Sequence, residues 1–579
     1  WFYFVYDAGL HRDYRHHGLD QAAYYLEEKR EKPDSLFQLY LLLVKALNQR
    51  SFHSPEVRVV EASAGSGKTY ALAKRYVQLI LNPDVKLEQI PIRNVLALTF
   101  TNKAAFEMKA RILEFLKRIA LKQFSSSEQE DILRPIGLTS PQASLKAFNI
   151  MEGVIRHYNF FQVQTIDKFI NAILSGCAFK IGLTANFKIK TNPGEYLQYS
   201  LDRLVDRAQD DRRIQQAFER FLHHYLYLEN RSGWFPKNDM LEIITALFDQ
   251  NNIYGHQFRE GRFAPEDVIK KKSLILEGIR SLRDILPETA HAGFAKAVDV
   301  FLIRHTKGFD IDSISDYFTR EEIPVKKGTL VSPIVEKKWR NIRSQLTELC
   351  QAEACSLFNP YIEMFFLAMD GFYELAAKDD CLFLNELNKR AGLLFDDDRL
   401  TVEELYYRLA TRFHHYLIDE FQDTSSLQWH NLEKMVEEGL STGGTLFYVG
   451  DRKQAIYGFR GGDVGLFDNI KRTFQAFNVR TDILDKNWRS QKAIVEFNNA
   501  VFSLDNLQRF IREKESYEAE KNKKTPVLFR EEDMAAVHAV FQNAQQTFKE
   551  ERQGGYVCME YVDMEKKEER DEAVREKLM

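Results

Sequence analysis

Residues Ala62 to Thr69 read ASAGSGKT, and their setting constrains the chain more than any other feature. The apolar run VRVVE stands immediately before them and the helical pattern YALAKRYVQLIL immediately after. A strand that turns into a helix through small residues aims backbone N–H groups at the helix N-terminus, where they wrap phosphate oxygens. Gly65 and Gly67 permit the turn, Lys68 reaches the outer phosphates of a nucleotide, and the Thr69 hydroxyl suits Mg²⁺. Ala62 stands where the pattern ordinarily has glycine, yet keeps the side chain small, and Ser63, Ala64 and Ser66 complete the loop. The expectation is a phosphate cradle for ATP from Ala62 to Thr69.

A second half of such a site is an apolar strand that ends in acids, and HYLIDE (His415 to Glu420) has this form. Asp419 is placed to hold Mg²⁺, and Glu420 to orient and deprotonate the attacking water. Carboxylates at a strand end also serve as simple caps, so the weight of Asp419 and Glu420 comes from their pairing with the phosphate loop.

The surrounding texture predicts an α/β fold. VRVVEA, NVLALTF, HHYLIDE, GTLFYVGD and RTDILD are short apolar runs rich in Val, Leu, Ile and Phe. Continuous apolar strands suit a parallel sheet covered on both faces. Between about residues 190 and 400 long amphipathic segments such as LQYSLDRLVDRAQ and PYIEMFFLAMDGFYELAA take over, which predicts a helical domain inserted between strands of the sheet. Residues 1–53 carry helical periodicity broken at Pro33, with no readable role; their His11-Arg12-Asp13 lacks the other parts of a kinase site.

Composition narrows the class. A chain of 579 residues exceeds the roughly 250 to 300 that one core supports, so several domains are expected. A net charge of −4 gives no field signature of nucleic acid, so any such binding must use a local cleft. The cysteines Cys177, Cys350, Cys355, Cys381 and Cys558 form no CxxC pair, which argues against a disulfide framework or a cysteine-rich metal site and makes a cytoplasmic setting the default. No apolar run approaches the roughly 20 residues of a spanning helix, so no membrane partner is expected.

The extended string LIDEFQDTSSLQ (417–428) resembles motif II of the UvrD/Rep-type superfamily 1 DNA helicases. LTFTNKAAFEMKARI (98–112) and QTIDKF (164–169) resemble the motif Ia region and the DNA-contacting motif after it, VGDRKQAIYGFRGGD (449–463) resembles motif III, and LDKNWRS (484–490) motif IV. The ASAGSGKT form and the long helical insertion are most similar to the RecB/AddA branch. The resemblance implies a RecA-like ATPase lobe at 54–190 and 400–480, an inserted helical domain at 191–399, and the beginning of a second RecA-like lobe at 481–579. It implies an ATP-dependent helicase or translocase, 3′ to 5′, acting on single- and double-stranded DNA in recombination and double-strand-break repair, with an AddB/RecC-like partner subunit. RNA as the substrate is disfavoured on the same ground.

Residue by residue, the resemblance implies that Gln454 and Arg460 sense the γ-phosphate, that Arg489 reaches it from the second lobe, and that Trp488 stacks on adenine. A core aromatic is the other reading of Trp488. For DNA it points to Phe100, Thr101, Asn102, Tyr457 and Phe459, whose aromatic members can stack on any base. Asp167 stands where many relatives carry His. Motifs V and VI are not found beyond Arg489, although GGYVCMEYVD (554–563) resembles an early strand of the second lobe. With a first residue that is Trp and not Met, the expectation is a fragment whose nuclease domain lies further on. The alternative is a non-catalytic nucleotide- or partner-binding subunit without a complete motor.

Overall fold

The computed structural model describes residues 55–83, 91–223, 225, 236–263, 265–305, 309, 311, 314–326, 331–396, 400–521, 529–559, 570–572 and 574–575. Residues 1–53, with the helical periodicity noted above, lie outside the described residues. Among the described residues no helix is long and apolar enough to cross a membrane.

Ten strands occur among them: β1 Glu56–Ala62, β2 Val95–Thr99, β3 Val163–Thr165, β4 Lys188–Lys190, β5 Cys381–Phe383, β6 His415–Ile418, β7 Thr445–Gly450, β8 Asn478–Leu484, β9 Lys486–Asn487 and β10 Thr547–Phe548. Six form one sheet in the order β3-β2-β6-β7-β1-β8. Every pairing in it is parallel. The α/β class expected from the apolar runs is therefore observed. All residues of β2, β6 and β7 are buried, which is what a parallel sheet covered by helices on both faces requires.

The described residues form two compact units, one comprising those up to Lys180 with those from Arg390 on, the other those within Ile181–Lys389. In the first, the helix Lys68–Leu81 buries Leu72 to Leu81 against β1 and β7, and the helices Asn102–Ala120 and Ser140–Arg156 extend the same core. One charged pair lies inside it: the Arg75 guanidinium donates to the Glu56 carboxylate, and both side chains are buried. The second unit is built on the 46-residue helix Pro333–Lys378, with two hydrophobic clusters along its length. It also holds the short parallel pair β4–β5, of which β5 falls within the residues 191–399 expected to be a helical insertion.

Two further differences from the sequence reading concern the end of the chain. β8 runs to Leu484 as the edge strand beside β1, past residue 480 where the first lobe was expected to end. The expected strand over 554–563 is not one at 554–559: this stretch has no ladder partner and is largely exposed, with Gly555 at φ 108°. Residues 560–563 lie outside the described residues. β3 was missed because three residues, VQT, are too short to show a period.

His415 gives the sheet a titratable element. Its ring is buried on β6, with Nδ1 3.0 Å from Thr445 Oγ1, and burial together with the nearby Arg75 charge lowers its pKa to about 3. A base whose folded pKa is depressed contributes stability that is present above its unfolded value near 6.5 and is lost as pH falls toward 3. Asp419 and Asp423, raised to about 7 and about 6, act in the opposite sense, so wild type must be compared with a variant. Relative to wild type, His415→Gln should gain stability as pH falls from 6.5, with a slope that approaches about 1.4 kcal/mol per pH unit by pH 5, read from hydrogen exchange of the β6 amides. A constant difference would show that the buried ring is not the acid-sensitive group.

Candidate ATPase site and the aromatic strip beside it

The C-terminal ends of β1, β6 and β7 are adjacent in the sheet, so the loops that follow them meet at one edge, the usual place for a ligand in an open α/β sheet. The loop after β1 is the predicted cradle. Ser66 folds back on it through its N–H and Oγ, 3.2 and 2.7 Å from the Ser63 carbonyl, while Gly65 and Gly67 adopt φ of 74° and 94°. Only glycine takes such values without strain. Gly65 is required twice over, because a Cβ there would lie 2.8 Å from Asn487 Oδ1. The helix that starts at Lys68 has no side-chain cap and no acid in its first turn, so its N-terminal N–H groups and dipole face the edge unneutralised. Thr69 is the second residue of that helix.

Lys68, Glu420 and Gln454 converge there. Lys68 Nζ lies 2.5 Å from Glu420 Oε2 and 3.3 Å from Gln454 Oε1. Glu420 holds a left-handed conformation, φ 47°, which costs a non-glycine residue about 1 to 3 kcal/mol and persists only where surrounding contacts impose it. The preceding Asp419 anchors its N–H on the Leu98 carbonyl of β2, 2.8 Å away. Its carboxyl is buried, and burial followed by the neighbouring Glu420 charge raises its pKa to about 7, with Lys68 opposing the rise. Gln454 is oriented by Asp451, whose Oδ2 accepts from Gln454 Nε2 at 2.8 Å. The Asp451 carboxylate also takes the Lys453 N–H at 3.0 Å and its ammonium at 2.7 Å.

The segment after β8 lies against the same loop. Trp488 N–H donates to the Gly65 carbonyl at 2.9 Å, and Asn487 Nδ2 to the Ala64 carbonyl at 3.1 Å. Asn487 Oδ1 in turn accepts the N–H groups of Arg489 and Ser490. The Arg489 Cβ stands 3.0 Å from where a Cβ on Gly65 would be, so this exposed arginine emerges at the cradle. Trp488 is 50% exposed, which removes the core-aromatic reading, and its Cδ1 sits 3.8 Å from where a Cβ on Gly67 would be. Lys486 Nζ lies 4.8 Å from the centroid of the Trp488 ring.

The predicted DNA-facing residues form a second group. Phe100 and Tyr457 rings are 4.6 Å apart, and Tyr457 and Phe459 rings 5.8 Å apart. The Arg460 guanidinium lies over both Tyr457 and Phe459, at 5.6 and 5.8 Å, which groups it with this strip. Thr101 Oγ1 caps the helix Asn102–Ala120 by accepting from Ala104 N–H, and both Thr101 and Asn102 are exposed at its start. Asp167, on the first turn of the helix Ile166–Gly176, accepts from Gln428 Nε2 at 3.0 Å.

Three contributors escaped the sequence reading. Gln546 Nε2 donates to the Ala64 carbonyl at 3.0 Å, although Gln546 stands 482 residues further along the chain. Glu61, at the end of β1, accepts from Arg452 at 2.7 Å and Lys471 at 2.8 Å. Gln422 donates through Nε2 to Glu420 Oε2 at 2.7 Å and accepts from Asp451 N–H at 2.9 Å through Oε1. Only Gln422 had a local signal, its place inside LIDEFQDT. Among the described residues no cluster of three or more His, Cys, Asp or Glu is placed to hold a metal.

Comparison with known proteins places this edge in a family. Residues 43–475 match the model of the UvrD/REP helicase N-terminal domain. The chain is 24% identical to an ATP-dependent helicase/nuclease polypeptide of Exiguobacterium sibiricum over 512 residues, covering 79% of this chain and 39% of that protein. It is similarly 24% identical to the RecBCD enzyme subunit RecB of Buchnera aphidicola over 482 residues, covering 79% of this chain and 38% of that one. It thus spans less than two fifths of the length of these relatives. Three quarters of the chain falls within one family model, and within that match lie the cradle after β1, the acids after β6 and Gln454 after β7: the chain belongs to the UvrD/REP helicase family.

Proposed function

We propose that this chain is the ATP-hydrolysing motor of a DNA helicase or translocase of the RecB/AddA kind, moving 3′ to 5′ in recombination and double-strand-break repair. The observation that carries this reading is the convergence of Lys68, Glu420 and Gln454 beside a helix N-terminus that no side chain caps. In this reading the first motor lobe comprises residues 54–190 and 400–480 with the rest of β8, the segment after it opens the second lobe, and residues 191–399 are the insertion. A partner subunit of the AddB/RecC kind and a cytoplasmic setting belong to the same proposal, supported by the names of the relatives.

In this reading the residues divide the work according to their positions. The N–H groups of residues 65–69 bind the phosphates of ATP, and Lys68, now held by Glu420, turns to the β- and γ-phosphates when a triphosphate enters. Glu420 is thereby released to take a proton from the attacking water. Gln454 contacts the γ-phosphate, Arg489 approaches it from the opposite side, and Trp488 offers its open face to the base. Thr69 and Asp419 would hold Mg²⁺. When bound it would neutralise phosphate charge and hold Asp419 ionised against its burial. Single-stranded DNA stacks along Phe100, Tyr457 and Phe459, which suits sequence-independent movement, with Thr101 and Asn102 at the backbone, and Arg460, over the Tyr457 and Phe459 rings, couples the γ-phosphate to that groove.

Three substitutions test the reading in an ATPase assay of the full-length gene product with and without single-stranded DNA. Lys68→Ala should lower the stimulated rate about a hundredfold or more; an unchanged rate would overturn the proposal. Glu420→Gln should lower turnover by a factor of about 10² to 10⁴ while a fluorescent ATP analogue still binds, since the proton acceptor alone is lost. Trp488→Ala should raise the KM for ATP about tenfold with a smaller change in kcat, as expected for one lost stacking contact. An unaltered KM would remove Trp488 from the base site.

A further inference from the structure

Gln422 has no role in the site as built so far, yet its amide joins the two strand ends that the chemistry uses. Its side chain is buried. Nε2 donates to Glu420 Oε2, the same oxygen that accepts from Lys68, and Oε1 accepts from the N–H of Asp451, which opens the Gln454 turn. The approach is close enough to dictate its neighbour: a Cβ on Gly450 would lie at clashing distance from Gln422 Oε1 and 2.7 Å from Phe467 Cζ. β7 must therefore end in glycine for this amide to reach it.

Residues just after Gln422 hold the far end of the loop that carries Tyr457 and Phe459, and Gln422 itself holds its start at Asp451. Asp463 N–H donates to the Thr424 carbonyl at 3.0 Å, Ser426 Oγ donates to Asp463 Oδ2 at 2.8 Å, and Ser425 bridges Gly462. The loop is thus tied to 424–426, and Gln422 Nε2 reaches both Asp423 Oδ2, at 3.3 Å, and Glu420 Oε2. A contiguous path of this kind is a physical proposal only if perturbing it changes the coupling between its ends.

We propose that Gln422 is a positioning residue that couples occupancy of the aromatic strip Phe100, Tyr457 and Phe459 to the orientation of Glu420. This rests on the motor reading above. With DNA on the strip the loop is held, Asp451 and Gln422 are fixed, and Glu420 is presented to water once Lys68 has left it. Without DNA the amide is free to follow the loop, and Glu420 stays with Lys68.

The test is steady-state ATPase of the full-length gene product with oligo-dT as the probe, in wild type, Gln422→Met and Gln422→Glu. Methionine keeps the volume and removes the hydrogen bonds to Glu420, Asp423 and Asp451; glutamate keeps the acceptor for Asp451 N–H and sets another carboxylate against Glu420 and Asp423. Both should lower the DNA-stimulated kcat at least tenfold and bring the stimulation ratio toward one, with KM for ATP and Kd for oligo-dT within about twofold of wild type. Adding Tyr457→Ala to Gln422→Met should cost little further stimulation, because the two act in series. Full stimulation in Gln422→Met overturns the coupling and leaves the motor reading intact. A parallel loss of kcat, ATP affinity and thermal midpoint in both variants overturns it in favour of a structural role. Absence of DNA stimulation in wild type overturns the motor reading itself, and the coupling with it.

Discussion

The contact between Lys68 and Glu420 joins residues 352 positions apart, and the rest of the site is arranged around it. Its existence depends on the parallel sheet. β1 and β6 are separated only by β7, all three run in one direction, and their C-terminal ends therefore deliver a lysine, a pair of acids and the Gln454 turn to one edge. The buried amide of Gln422 and the buried carboxylate of Asp451 then fix the distances between these ends. Such groups are costly to bury unless hydrogen-bonded, so each strand end constrains its neighbour.

The polar side chains at this edge are paired to one another. Lys68 is neutralised by the Glu420 carboxylate, and burial raises the pKa of Asp419 to about 7. Glu420 keeps a left-handed backbone conformation that glycine would adopt at less cost. In the proposed reading the pairs among these side chains are compensating ones that a polyanion and a cation would replace. The clasp of Asn487, Trp488 and Gln546 on the carbonyls of Ala64 and Gly65 adds a second face to the cradle. It explains why Gly65 must be glycine on grounds independent of phosphate.

Much of this was legible from the sequence, and the reasons are local. Cradle, acid-ended strand and five of the six strands of the large sheet rest on short-range patterns: small residues at a turn, apolar runs, and a change of period from strand to helix. The UvrD/REP family assignment rests on the same strings in order, and the family match confirms it. Less legible were boundaries and partnerships. VQT at β3 has too few residues for a period, β8 was placed at the edge of a different lobe, and GGYVCMEYVD had the composition of a strand but no neighbour to pair with at 554–559. Trp488 had two readings that only its exposure separates.

The sequence alone determined the chemistry available to this protein: which side chains exist to bind phosphate, hold a metal, accept a proton or stack on a base, and on which kind of element each sits. Tertiary structure alone decided who meets whom. Gln546 reaches Ala64, Arg452 reaches Glu61, and Gln422 bridges Glu420 to Asp451, because strand order and the burial of polar groups select partners without regard to distance along the chain. Local patterns report secondary structure, which forms within a few residues. Hydrogen bonds between strand ends are set by the sheet as a whole, and no window of sequence contains it.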